Sequence, residues 1–241
     1  MPVLTSLQSN TVSLVNNYDT WMFDCDGGSW HDDQLTDGAF DVLCLLRHQK
    51  KTIVFVTNNA MKSRRHYKAK FDKLGIEAYM DEIYGSAYAS TVYLSSVIKF
   101  SKEKKVYVIR MSGLEEELKD EGIQYLGGTD SSDCTLAPFF LADFVLDEDV
   151  AAVLCGYDSN ITYTKLSKAF QYLTRNLGCQ FLVTNEDTTY PNAYGVLPGG
   201  GALSAPLRYA LGKDPLCIGK PSTIMLDCIR VKSSRVYLPN L

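Results

Sequence analysis

The chain has 241 residues, 46% of them hydrophobic and 22% charged, enough to form one large globular domain or two ordinary ones around a real core. A net charge of -4 leaves no basic footprint for nucleic acid, and no apolar run approaches the roughly 20 residues of a membrane span. Seven widely spaced cysteines, with no C-x-x-C pair, argue against a disulfide framework or zinc site and predict reduced thiols in a cytoplasmic protein. Residues 1–17 carry no basic segment and no uninterrupted apolar stretch, so no secretory signal is expected.

In chain order, Tyr18-Asp19-Thr20-Trp21-Met22-Phe23 predicts a strand, and Asp24-Cys25-Asp26-Gly27 follows at its end. Residues two apart on a straight strand point to opposite faces, so both acids reach one reaction centre only if the chain bends there. Such a pair suits a metal-assisted nucleophile with a proton donor beside it; the plain alternative is a polar turn facing water. Cys25 sits between two carboxylates that would raise its pKa, which argues against a catalytic thiol.

Residues 38–49 space Phe40, Val42, Leu43, Leu45 and Leu46 as an amphipathic helix. Thr52-Ile53-Val54-Phe55-Val56 is a short buried strand stopping at Thr57-Asn58-Asn59, a loop that offers a hydroxyl, amides and main-chain N–H groups for phosphate oxygens. Helices are predicted over residues 63–74, closed by Gly75, and 86–100. Strands alternating with helices imply an α/β fold with a parallel sheet, whose ligands bind beyond the carboxyl ends of the strands. Asp24 and Thr57 both fall at those ends.

From Val106 the pattern restarts. Strands are predicted at residues 106–109, 151–154 and 180–183, with helices at 112–119 and 163–176. Residues 130–133 form a polar loop and residues 190–198 another. Gly199-Gly200-Gly201 opens an apolar helix and either cradles a phosphate or serves packing; with no clear strand before it, a dinucleotide fingerprint is disfavoured. Ile218-Gly219-Lys220-Pro221-Ser222 presents a lysine before a last helix at 222–230, where it could neutralise developing phosphoryl charge. Residues 106–214 therefore read as a second α/β module inserted into the first, giving pieces at 1–105, 106–214 and 215–241.

Taken together, these residues resemble a haloacid dehalogenase superfamily phosphatase, in the branch of 4-nitrophenylphosphatases, phosphoglycolate phosphatases and pyridoxal-phosphate phosphatases. The matching text is Phe23-Asp24-Cys25-Asp26-Gly27 with Trp30, Val56-Thr57-Asn58-Asn59 with Lys62-Ser63-Arg64 and Tyr67, and Leu74-Gly75-Ile76. It continues through Gly156-Tyr157-Asp158, Thr184-Asn185 with Asp187, Pro198-Gly199-Gly200-Gly201 and Ile218-Gly219-Lys220-Pro221. The resemblance implies a Rossmann-like core with a large α/β cap inserted between the Thr57 loop and Lys220. It implies Asp24 as the nucleophile forming an aspartyl-phosphate, and Asp26 as the acid and then the base. Thr57, Asn58 and Asn59 would hold phosphoryl oxygens, with Lys220 balancing charge. Mg²⁺ would be held by the Asp24 carboxylate and the Asp26 main-chain carbonyl. The substrate would be a small phosphorylated metabolite selected by the cap, with residues 187–192 facing the site, and two chains could pair through the cap.

Two departures stand out. The resemblance implies a further Gly-Asp element after the helix at 222–230, but no acid follows Asp227 in this sequence, and the core sheet is expected to be short of its C-terminal strands. Weaker metal binding and a motif-bearing strand near the sheet edge would follow, with Val236-Tyr237-Leu238 partly filling the gap. The competing expectation is thus a catalytically impaired chain acting as a binding or dimerising protein. In addition, Gly28-Ser29 replaces larger apolar residues before Trp30 and is expected to loosen the turn.

Overall fold

The computed structural model describes residues 14–31, 34–110, 112–192 and 194–232. The first module runs β1 (Thr20–Asp24), a small hairpin β2 (Trp30–His31) and β3 (Gln34–Leu35), α1 (Ala39–His48), β4 (Thr52–Thr57), α2 (Arg64–Lys73), β5 (Ile83–Gly85) and α3 (Ser86–Val92). The second runs β6 (Lys105–Ile109), α4 (Ser112–Asp120), β7 (Gln124–Gly127), β8 (Val150–Cys155), α5 (Tyr163–Arg175), β9 (Gln180–Val183), β10 (Thr189–Asn192), β11 (Gly195–Pro198) and α6 (Gly200–Leu211). The chain then passes through β12 (Leu216–Cys217) to α7 (Ile224–Lys232).

β1, β4 and β5 form a parallel three-stranded sheet with β4 in the middle. Alternation along β4 divides its side chains between two layers. Ile53 and Phe55 pack with Leu43 and Leu46 of α1 and Tyr67 and Phe71 of α2. Val54 and Val56 pack with Tyr88, Ala89 and Val92 of α3 and Met225, Cys228 and Ile229 of α7. α7 thus closes the first module although more than a hundred residues of the second intervene. β1 is an edge strand of this sheet among the described residues, as the sequence led us to expect. Beside it Met22, Phe40, Val42 and Leu45 remain 38–49% exposed, so α1 carries apolar side chains on a second, uncovered face. The segment 236–238 lies outside the described residues.

The second sheet is larger and wholly parallel, ordered β12-β9-β8-β6-β7. Its strands β6, β8 and β9 are near-continuous apolar runs with helices on both faces, the pattern of a doubly covered sheet. β12 joins this sheet, so its pairing extends past residue 214 to Cys217. Residues 190–192 and 195–198, expected as a loop, pair as the antiparallel strands β10 and β11. That expectation failed because Pro191 and the lack of apolar alternation hid the strands. The two modules meet along α2 and α4, where Arg64 pairs with Glu117 at 3.1 Å, Arg65 with Asp120 at 2.9 Å and His66 with Glu116 at 3.7 Å.

Candidate active site

β1 ends where its chemistry begins. Asp24 lies opposite Val56, and Cys25 N still donates to Val56 O at 3.0 Å before the chain turns away. Gly27 takes φ 84°, a left-handed conformation that glycine adopts freely, and its N–H donates to Trp30 O at 2.9 Å. Ser29 donates to the carbonyl of Asp24 twice, from N at 3.0 Å and from Oγ at 2.8 Å. A Cβ at position 28 would stand 2.7 Å from that same carbonyl, so only glycine fits there without a shift. The expected loosening by Gly28-Ser29 is overturned: the glycine permits the close approach and the buried serine ties it.

This turn brings the second acid back over the sheet end. Asp26 Oδ1 accepts from Trp30 Nε1 at 3.0 Å, and Oδ2 accepts from Thr57 Oγ1 at 3.0 Å and Tyr67 Oη at 2.7 Å. The chain bends at the acids, as convergence required. Trp30 is held edge-on against Phe71, ring centroids 4.9 Å apart, so its indole donor is positioned by packing. Burial, then the charge of Asp26, pushes the Tyr67 phenol well above its usual range and keeps it a donor. The same two causes raise the buried Cys25 thiol, the direction expected for a cysteine between two carboxylates.

Asp24 Oδ1 accepts from Lys220 Nζ at 2.6 Å, and both side chains remain partly open to solvent. The lysine arrives from 196 residues away because Asn58 clamps its main chain. Lys220 N donates to Asn58 Oδ1 at 2.8 Å, and Asn58 Nδ2 donates to Lys220 O at 2.9 Å. Asn58 Nδ2 also lies 3.2 Å from Asp187 Oδ2, while Asn58 O accepts from Asn185 Nδ2 at 2.8 Å. The second module therefore touches the site through the loop after β9. The triple glycine explains that reach, since at 199, 200 and 201 any Cβ would press on atoms of Asn185, Glu186 or Asp187. It serves helix entry.

Five of the six predicted residues converge: Asp24 with Lys220, Asp26 with Thr57, and Asn58 between Lys220 and Asp187. The sixth, Asn59, turns its side-chain oxygen to Met61 N at 2.9 Å and gives its own N–H to Thr57 Oγ1 at 3.0 Å, shaping the loop. Sequence reasoning missed the roles of Ser29, Trp30 and Tyr67 as holders of the acids. Their signal was present, since Trp30 and Tyr67 belong to the matching text, but nothing in their spacing says which acid they bind. For a divalent cation, the Asp24 carboxylate and the Asp26 main-chain carbonyl are hard oxygen donors. Mg²⁺ commonly takes only one or two carboxylates and fills its shell with water and phosphate, so these residues fit it. Among the described residues no group of three or more His, Cys, Asp or Glu side chains gathers as a ready metal cluster.

Comparison with known proteins agrees with this geometry. The haloacid dehalogenase-like hydrolase family matches residues 21–124. The chain is 42% identical to the 4-nitrophenylphosphatase of Schizosaccharomyces pombe over 217 residues, covering 90% of this chain and 72% of that protein. It is 40% identical to the chloroplastic phosphoglycolate phosphatase 1A of Arabidopsis thaliana over 231 residues, covering 95% of this chain but only 63% of the relative. Its fold superposes on the p-nitrophenyl phosphatase from Archaeoglobus fulgidus with a TM-score of 0.74 at 24% identity, over 89% of this chain and 74% of the other. No helix among the described residues is long and apolar enough to cross a membrane. The chain belongs to the haloacid dehalogenase-like hydrolases, in the branch of the 4-nitrophenylphosphatases and phosphoglycolate phosphatases.

Proposed function

We propose that this chain is a Mg²⁺-dependent phosphomonoester hydrolase that acts on small phosphorylated metabolites through an aspartyl-phosphate on Asp24. The observation that carries the reading is the 2.6 Å Asp24–Lys220 pair at the end of β1, with Asp26 two residues on. In this reading an Asp24 carboxylate oxygen attacks phosphorus and the bond to the leaving oxygen breaks. Asp26 gives that oxygen a proton, then takes one from the water that attacks phosphorus and frees Asp24. To do so Asp26 must exchange donors with Trp30, Thr57 or Tyr67, which hold both of its oxygens. Lys220 offsets charge growing on the phosphoryl group. Thr57 and Asn58, with the main chain at Asn59, would cradle the phosphoryl oxygens. Mg²⁺ held by Asp24 and the Asp26 carbonyl would screen the repulsion between carboxylate and phosphate.

The division at 1–105, 106–214 and 215–241 assigns substrate choice to the middle piece, whose Asp187 loop already reaches Asn58. Pairing of two chains through that piece belongs to the same reading, and the free thiols fit a reducing, cytoplasmic setting. A second reading, a catalytically impaired binding or dimerising protein, is favoured by the apolar side chains of Met22, Phe40, Val42 and Leu45 left exposed beside β1. Hydrolysis of 4-nitrophenyl phosphate during an Mg²⁺ titration separates the two. Turnover that rises with Mg²⁺ and falls by at least about 10⁴-fold in Asp24→Asn supports the enzyme. A cooperatively melting wild-type chain with no turnover at any Mg²⁺ concentration contradicts it.

A further inference from the structure

Arg110 directly follows β6, at the carboxyl ends of the five-stranded sheet, and is fully buried. Its stem lies on Gly156, where a Cβ would stand 3.1 Å from Arg110 Cγ and Cδ and 3.4 Å from Thr184 Cγ2. Among the described residues, neither Nε nor either Nη of Arg110 has a hydrogen-bond partner, and Thr184 Oγ1 has none. The four carboxylates whose charge acts most on Arg110 are engaged elsewhere. Glu115 accepts from Thr129 N at 2.7 Å, Glu117 pairs with Arg64, Asp158 accepts from Lys165 Nζ at 2.6 Å, and Glu116 faces His66. Burial pushes the guanidinium down to about 9, still cationic at neutral pH. A fully buried cation without a counter-ion is among the least favourable arrangements a fold can hold.

The place of this charge matters. Thr184 O packs so closely on Gly219 that no side chain fits between them, and Gly219 immediately precedes Lys220. Asn185, next to Thr184, donates to Asn58 O. The stem of Arg110 and the Thr184 side chain thus share the space beside Gly156, and the Thr184 carbonyl packs on the residue before the lysine that holds Asp24.

We propose that Arg110 and Thr184 form an anion subsite that takes a carboxylate group. The planar guanidinium fork matches a carboxylate in two parallel hydrogen bonds, and the single positive charge balances a monoanion. Thr184 Oγ1 supplies one further donor. The carboxylate has two possible sources: the far end of a phosphorylated hydroxy acid, or a free small carboxylate acting as an effector. The first source rests on the phosphatase reading; the second does not. These polar atoms are closed to solvent, so occupancy of the subsite requires the side chains around Arg110 to part.

The test uses the full chain and Arg110→Met, with Arg110→Lys as a second variant that keeps the charge and loses the fork. Melting temperatures are measured in sodium acetate, sodium glycolate and sodium chloride at equal ionic strength. Turnover is compared between 2-phosphoglycolate and 4-nitrophenyl phosphate. A substrate-borne carboxylate predicts that both variants lower the ratio of kcat/KM for 2-phosphoglycolate to that for 4-nitrophenyl phosphate, by about 100-fold in Arg110→Met. A free carboxylate predicts that acetate or glycolate stabilises the wild type more than chloride does, and that Arg110→Met abolishes the difference. Equal melting responses to all three salts together with an unchanged ratio overturn the subsite. Should no form hydrolyse either substrate, the phosphatase reading fails, while the melting comparison still decides this one. Should Arg110→Met not fold, Arg110→Lys and the salt response of the wild type decide it.

Discussion

The two parallel sheets are built for different work. In the five-stranded sheet, β6, β8 and β9 lie inside, and the side chains of Val106, Val108, Val153, Leu154 and Val183 are wholly or almost wholly buried. In the three-stranded sheet β4 and the short β5 are buried in this way, while β1 stands at the opposite edge with Met22 and Asp24 exposed. The strand that carries Asp24 is therefore the least buried strand of the less extensive sheet. Its order comes from polar contacts of the following turn, through Gly28, Ser29 and Trp30, and from Lys220. The most buried strands lie in one sheet and the candidate site at the end of the other, joined by the hydrogen bonds of Asn58.

Substitutions can sharpen that separation. Lys220→Met removes the partner of Asp24 from the exposed end of β1, and its expected cost is about 10²–10³ in kcat with little change in melting temperature. A comparable loss of stability with no selective loss of turnover would show that Lys220 is chiefly structural. Leu154→Ala, in the interior of β8, is expected to cost about 2–5 kcal/mol in denaturant unfolding. Met22→Ala, on the edge strand, is expected to cost below about 1 kcal/mol. Equal costs would mean that the edge is covered in solution.

Tyr67→Phe removes one donor from Asp26 while leaving the ring on Trp30, and about 1 kcal/mol of stability is expected to go with it. The accompanying signature is an altered pH–rate profile, since Asp26 is then held by Trp30 and Thr57 alone. The smallest effect belongs to Arg65→Ala. Its pair with Asp120 is largely solvated, so stability should change by less than about 1 kcal/mol, and less still at high salt.

Much of this was legible in the chain. The strand at 52–57 announced itself by an unbroken β-branched and aromatic run, and the acids at 24 and 26 by their position before glycines. The restart at Val106 revealed the second module. Three things stayed hidden. The Tyr190–Pro198 hairpin lacks the apolar alternation that marks a half-buried strand, because its residues are almost all exposed. Strands β5, β7 and β12 are only two to four residues long, too short for periodicity to register. The third is direction: no spacing tells that Asn59 turns to Met61, or that Ser29 ties the turn a loosening was expected to open. Short polar side chains choose partners by local geometry, and that geometry exists only once the chain is folded.

In the proposed reaction Asp24, an edge-strand carboxylate held by Lys220, takes the phosphoryl group. Rapid acid quench of the enzyme during turnover of a phosphomonoester in Mg²⁺, followed by peptide mass spectrometry, tests it directly. The expected result is a phosphoryl group on the peptide containing Asp24, absent in Asp24→Asn. Hydrolysis with no adduct, persisting in Asp24→Asn, would contradict it.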